Sequence, residues 1–150
     1  MSRFPVSYVD ISVFAHATED PERVVNAALN IIPAEHAEKV TFKRKRLKGD
    51  YGNPIILFKA RIEDEDLIKV FIGYIADKMT RLDKDRLLYE MPLRLDKGSL
   101  YIRFDKQAAF YGNLKFRGED PIHIRIRFRK SRVQDIIEIC EGLGLIDRSS

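Results

Sequence analysis

Ile122–Arg129 reads IHIRIRFR: apolar side chains at Ile122, Ile124, Ile126 and Phe128 alternate with His123, Arg125, Arg127 and Arg129. Successive side chains leave a strand on opposite faces, so a period of two marks a half-buried strand. One face supplies core. The other carries a row of cations roughly 6.6 Å apart, two residues at the strand rise. Like charges on one face repel, and the row costs stability unless something anionic or water-filled lies over it. A repeating polyanion is the partner this pattern implies.

The flanks extend the pattern. Lys130 and Arg132 continue the basic run, and Ser131 with Gln134 forms a capping-box pattern for a last helix. That helix has Val133, Ile136, Ile137 and Cys140 on its apolar face and stops at Gly142 or Gly144. Upstream, GEDP (118–121) reads as a hairpin turn joining Leu114–Phe116 to IHIRIRF. The neighbouring strand candidates offer Arg103, Lys115 and Arg117 rather than carboxylates. SLYIRF (99–104) follows Gly98 as a strand, and Asp105 caps a two-turn helix, KQAAFY, ended by Gly112. First-turn N–H groups of that helix, with Lys106 and Gln107 beside them, can receive a phosphate.

Towards the N-terminus, Val6–Ala17 reads as a strand, and Asp20 with Pro21 opens a helix that Pro33 ends. A strand near Val40–Leu47 leads through the turn-rich KGDYGNP into a second strand from Pro54 to Ile62. Glu63–Asp66 place four acids at the next helix start, where they complement its macrodipole. That helix buries Leu67, Val70, Phe71, Tyr74 and Ile75, and a shorter one follows over Leu82–Glu90. Strand, helix, two strands, helices, strands, helix is the order of an α+β two-layer sandwich. Its mostly antiparallel sheet is covered by helices on one face. The other face, with the basic row, is open to solvent or a partner. At 150 residues the chain is expected to form a single domain over 1–150.

Charge is clustered rather than large. The net charge is +4, yet residues 36–62 hold eight Lys/Arg against two Asp/Glu, and residues 99–132 hold nine against three. Local clustering governs the field that steers a polyanion and releases its counterions. KRKRLK, with Lys43, Arg44, Lys45, Arg46 and Lys48, points cations to both faces of its strand, Lys43 and Lys45 opposite Arg44 and Arg46. Its alternative role is a charged edge strand that blocks aggregation. In the adjoining YGNP turn, Tyr51 is placed to stack on an unpaired base.

Apolar content of 45% indicates a folded chain, and one cysteine, Cys140, excludes an internal disulfide or a cysteine-rich metal site. No run is apolar enough to span a membrane, and MSRFPVSYV lacks the apolar centre of a signal peptide. The expectation is a soluble, cytoplasmic protein. His16, His36 and His123 have no metal-ligand spacing, and no Walker loop, G-x-G-x-x-G or G-x-S-x-G occurs. No cofactor is expected. Two enzymatic alternatives are acid–base RNA cleavage by His16 and His123 with Lys106, and a Mg²⁺ site on residues 63–66. Another is an assembly protein whose basic strands dock an acidic partner subunit.

Three segments, HATEDPERVVNAALNIIP (16–33), GDYGNPIILFKARI (49–62) and YIRFDKQAAFYG (101–112), occur together in this order. They resemble the archaeal family of RNA-binding proteins described as predicted exosome subunits. The resemblance implies a fold like that of the ribosomal protein that binds 5S RNA, also likened to a double-stranded-RNA-binding domain. It implies a role in RNA processing, exosome- or ribosome-associated partners, and homodimers. The shared positions are His16, Thr18, Glu19, Tyr51, Gly52, Asn53, Arg103, Asp105, Lys106 and Gln107. The reading is therefore a non-catalytic protein that grips structured RNA by its backbone. Its contacts are Lys43, Arg44, Lys45, Arg46, Lys48, Tyr51, Arg103, Lys106, Gln107, His123, Arg125, Arg127 and Arg129.

Overall fold

The alternating strands assemble into one sheet in the computed structural model, which describes residues 3–148. The strands are β1 (Val6–Ala15), β2 (Lys43–Lys48), β3 (Pro54–Ile62), β4 (Leu95–Asp96), β5 (Ser99–Phe104) and β6 (Ile122–Phe128). Their spatial order is β2-β3-β1-β6-β5-β4, and every neighbouring pair runs antiparallel. The helices are α1 (Pro21–Leu29), α2 (Glu65–Lys78), α3 (Arg81–Arg94), α4 (Lys106–Phe110) and α5 (Val133–Gly142), with a 3₁₀ turn over Ala34–Lys39. The fold is α+β, as expected from the order of elements.

Register decides which residues become core. Ile11 of β1 faces Ala60 of β3 on one side and Ile124 of β6 on the other, and Ile124 in turn faces Ile102 of β5. All four are buried, and the helices cover them with Val24 and Ala28 of α1, Phe71 and Ile75 of α2, and Ile136 and Cys140 of α5. Each fully buried Ile or Phe contributes about 1.5–3 kcal/mol relative to exposure. This burial is what keeps the opposite parity of each strand pointing outward.

Caps hold the helix starts. Asp20 accepts from Glu22 N–H at 3.0 Å, Asp64 from Leu67 N–H at 2.9 Å, and Asp105 from Ala108 N–H at 3.2 Å. Of the acids at 63–66, Asp64 is thus the cap of α2 and Glu65 and Asp66 lie in its first turn. Thr80 and Asp83 cap α3 reciprocally. The turn between β4 and β5 places Lys97 and Gly98 both at positive φ, 50° and 89°, the requirement of a tight type I′ hairpin.

Three expectations are corrected. Leu114–Phe116 does not form a hairpin with β6. Phe116 instead makes a single bridge to Phe104 on the outer side of β5, because the long apolar alternation of β1 takes the place beside β6. The Ser131/Gln134 capping box is absent: α5 starts at Val133, so Gln134 falls too early in the helix to reach back, and Arg132 at the cap makes no side-chain bond. The short helix expected over 82–90 runs to Arg94, since Pro92 lies inside its last turn rather than ending it. No helix among the described residues is long and apolar enough to cross a membrane.

Candidate nucleic-acid interface

The outward parity of five strands carries one line of residues across the sheet. Lys43 of β2 faces Lys59 of β3, Lys59 faces Ser12 of β1, Ser12 faces His123 of β6, and His123 faces Arg103 of β5. Beyond Arg103, the main-chain N–H of Arg117 donates to the Arg103 carbonyl at 3.1 Å, which sets Arg117 next to it across the short bridge. From β2 to β5 the line covers four strand spacings, roughly 19 Å. Lys43, Lys59 and Arg103 form no ion pair among the described residues. Directly opposed like charges are unfavourable in water.

A second line lies parallel to the first. Arg61, Asp10, Arg125 and Tyr101 are successive cross-strand neighbours. Asp10, 6% exposed, accepts from Arg61 at 2.7 and 3.0 Å through both carboxylate oxygens. The ring of Tyr8 lies under the Arg61 guanidinium at 3.9 Å and near that of Arg125 at 5.6 Å. Arg125 also donates to Ser99 Oγ at 3.0 Å. Arg127 donates to the Lys97 carbonyl in the hairpin turn, and Arg129 to the Phe4 carbonyl at 2.8 Å. These bonds use part of each guanidinium and leave it facing outward with its charge intact. Outward-facing strand residues comprise Lys43, Lys45, Lys59, Arg61, Arg103, Arg125 and Arg127 against Asp10 and Asp96. The surface is strongly electropositive. Burial and the neighbouring Arg103 push the His123 imidazole below its ordinary pKa, so it is neutral at neutral pH.

The two basic segments meet here in part. Lys43 and Lys45 share the open face with Arg103, His123, Arg125 and Arg127, whereas Arg44, Arg46 and Lys48 have the opposite parity. Arg44 bonds Glu22 of α1 and lies over the Phe58 ring at 5.0 Å, so it works within the fold. Tyr51 stands at the tip of the β2–β3 hairpin, 92% exposed, with Gly52 beside it at φ 77°. Gln107 is exposed on the rim of a recess next to α4.

Lys106 is engaged inside the molecule. Its side chain is 12% exposed, and Nζ donates to Glu19 at 3.0 and 3.1 Å and to the Phe14 carbonyl at 2.9 Å, with Asp120 at 2.8 Å. His16 Nε2 lies 2.9 Å from the other oxygen of Asp120. Burial opposes the charged form of Asp120, but the bonds from Lys106 and His16 outweigh it and hold the carboxyl below its usual range. His16, Glu19 and Asp120 bring three ligand atoms within 4.8 Å of one another, but the Lys106 ammonium already supplies the cation between the carboxylates. The cluster ties α4 and the 113–121 loop to the end of β1.

Comparison with known proteins adds a family to this geometry. A family model described as RNA binding matches residues 8–128, the span from β1 through β6. The chain belongs to this RNA-binding family. It is similar to the RNA-binding protein PAB1135 of Pyrococcus abyssi, with 37% identity over 81% of this chain and 80% of that protein. It is also similar to the uncharacterized protein MJ0213 of Methanocaldococcus jannaschii, with 30% identity over 87% and 93%. Among solved structures, protein AF2318 from Archaeglobus fulgidus superposes with a TM-score of 0.80 and 28% identity, over 92% of this chain and 99% of that one.

For this member of the RNA-binding family, reading the sequence missed Lys59 and Arg61 on β3, Tyr8 on β1 and Tyr101 on β5. The signal was present: Lys59 and Arg61 alternate with Phe58, Ala60 and Ile62, the same period of two that exposes the row on β6.

Proposed function

We propose that this chain is a non-catalytic protein that binds structured RNA through its phosphate backbone over the open face of the sheet. The observation that carries the reading is the cross-sheet line Lys43–Lys59–Ser12–His123–Arg103, in which Lys43 directly opposes Lys59 and none of Lys43, Lys59 and Arg103 has an ion-pair partner among the described residues. An RNA backbone supplies the missing negative charge at repeated spacing. Recognition of this kind leans on phosphate and 2′-OH contacts rather than base edges. Tyr51 and Tyr101 add stacking surfaces for any unpaired base.

The test is the affinity for a hairpin RNA measured against salt. About four phosphate contacts give a log–log slope near −3 to −4. A flat dependence, or no binding at low salt, overturns the reading. Labelled RNA incubated with the protein, with and without Mg²⁺, is expected to remain intact; cleavage would place the chain among ribonucleases. The same proposal extends to a cytoplasmic role in RNA processing beside the exosome, supported by the three shared segments. Copurification of exosome subunits that survives nuclease treatment tests it. Homodimer formation belongs to the proposal too, with the exposed Leu82 and Tyr89 along one side of α3 as the surface to bury. Sedimentation of a Leu82→Glu variant checks that contact.

A further inference from the structure

Outside the open face, the cation line runs into a recess at the margin of the sheet. Its volume is about 290 Å³, and its walls include Arg86, Glu90 and Arg94 of α3, Tyr101 and Arg103 of β5, and Arg117. Four guanidiniums therefore surround one carboxylate. Glu90 accepts from Arg86 at 2.9 Å and from Arg94 at 2.7 Å, and the bonds from Arg86, then Arg94, hold its carboxyl below the usual range. Both guanidiniums also lie over the Phe116 ring, at 5.4 and 5.2 Å. Arg86 and Arg94 are thus fixed in place before any ligand arrives.

The other two are less satisfied. Arg103 has no carboxylate partner among the described residues, and its cross-strand neighbours are His123 on one side and Arg117 on the other. Arg117 donates to the Glu119 carbonyl at 3.2 Å and has its nearest carboxylate, Asp105, at 3.9 Å. A site with three positive charges in excess suits a dianion better than a singly charged diester. Guanidinium forks match phosphate oxygens two at a time. The volume lies at the small end of ligand sites, which run from about 300 to 1,000 Å³, so it admits one nucleotide and not a duplex. Tyr101 offers a ring for the base, and Arg103 belongs to both the recess and the cation line.

We propose that this recess holds the phosphorylated end of an RNA strand, with Arg103 and Arg117 on the terminal phosphomonoester and Tyr101 against the end nucleotide. The inference rests on the RNA-binding reading above and adds a preference for one kind of strand end.

The experiment compares one hairpin RNA with a single-stranded overhang in three forms: 5′-phosphorylated, 3′-phosphorylated, and hydroxyl at both ends. Fluorescence anisotropy of the intact protein with each is the readout. One phosphorylated form is expected to bind about tenfold tighter than the hydroxyl form, the gain of one charge-assisted contact. Which of the two gains identifies the end. Arg117→Ala, on an exposed side chain, is expected to abolish that difference while leaving the hydroxyl form within about twofold; Arg103→Ala, which also removes a charge from the cation line, is expected to abolish the same difference and to weaken all three forms. Equal affinity for all three forms overturns the inference while the RNA-binding reading stands. Absence of binding to any form overturns both. A phosphoserine peptide that competes as well as the phosphorylated RNA overturns the assignment of RNA as the ligand.

Discussion

Asp10 and Arg61 face each other across β1 and β3, and both carboxylate oxygens of Asp10 are bonded, at 2.7 and 3.0 Å. The pair places a buried negative charge in the middle of a positive surface. Asp10→Asn is expected to cost stability, about 1–3 kcal/mol by denaturant titration, because a buried bonded charge loses its form. It is also expected to raise RNA affinity at low salt, since Arg61 and Arg125 lose their one central counter-charge. A variant that loses both stability and RNA affinity to the same extent would show that Asp10 acts only through folding.

Parity separates the two halves of KRKRLK. Lys43→Ala and Lys59→Ala are each expected to make the salt dependence of RNA binding shallower by about one unit of log–log slope. Arg44→Ala, on the other face against Glu22, is expected to leave the slope unchanged. Equal slopes for all three variants would remove the open face from the account.

His123 gives the interface a pH dependence. Its pKa is lowered from the ordinary 6.5, so just below that value the unfolded chain takes up a proton that the folded one refuses. Stability contributed by the neutral ring is therefore present above about pH 6.5 and lost as pH falls towards the folded value. RNA phosphate beside the ring favours its protonated form, so affinity is expected to rise over the same fall in pH, with proton uptake on binding. Titrations at about pH 7.5 and about pH 5.5 measure both. In His123→Asn the two effects should vanish together.

Gly98 has φ 89°, and a Cβ there would lie 2.9 Å from the Lys130 carbonyl oxygen. Its own carbonyl accepts from Phe128 N–H at 2.8 Å, joining the turn to the end of β6. Gly98→Ala is expected to destabilise by about 1–3 kcal/mol in thermal or denaturant unfolding. Gly52, at φ 77° but with nothing within 4 Å, is expected to cost less on the same change.

Period-two segments were legible wherever one face was apolar: IHIRIRF and SLYIRF became β6 and β5 at their expected limits, and Asp20 and Asp105 cap their helices. Strand neighbours were not legible, because pairing depends on contacts far apart in the chain. Placing β1 beside β6 brought Asp10 next to Arg125, a carboxylate that no neighbouring segment of sequence suggested. Lys106 shows the same limit from the opposite side. Next to a helix cap it looks like a phosphate donor, yet Glu19 and Asp120 come from 87 and 14 residues away to claim it.

The sheet ends at both margins by different means. On one side β4 has two residues, too short to template another strand, and on the other β2 presents KRKRLK, whose repulsion discourages a second copy from adding its own β2. Sheet-to-sheet extension is thus disfavoured at each border, by brevity on one and by charge on the other, although one face of the sheet is left without a covering layer of helices.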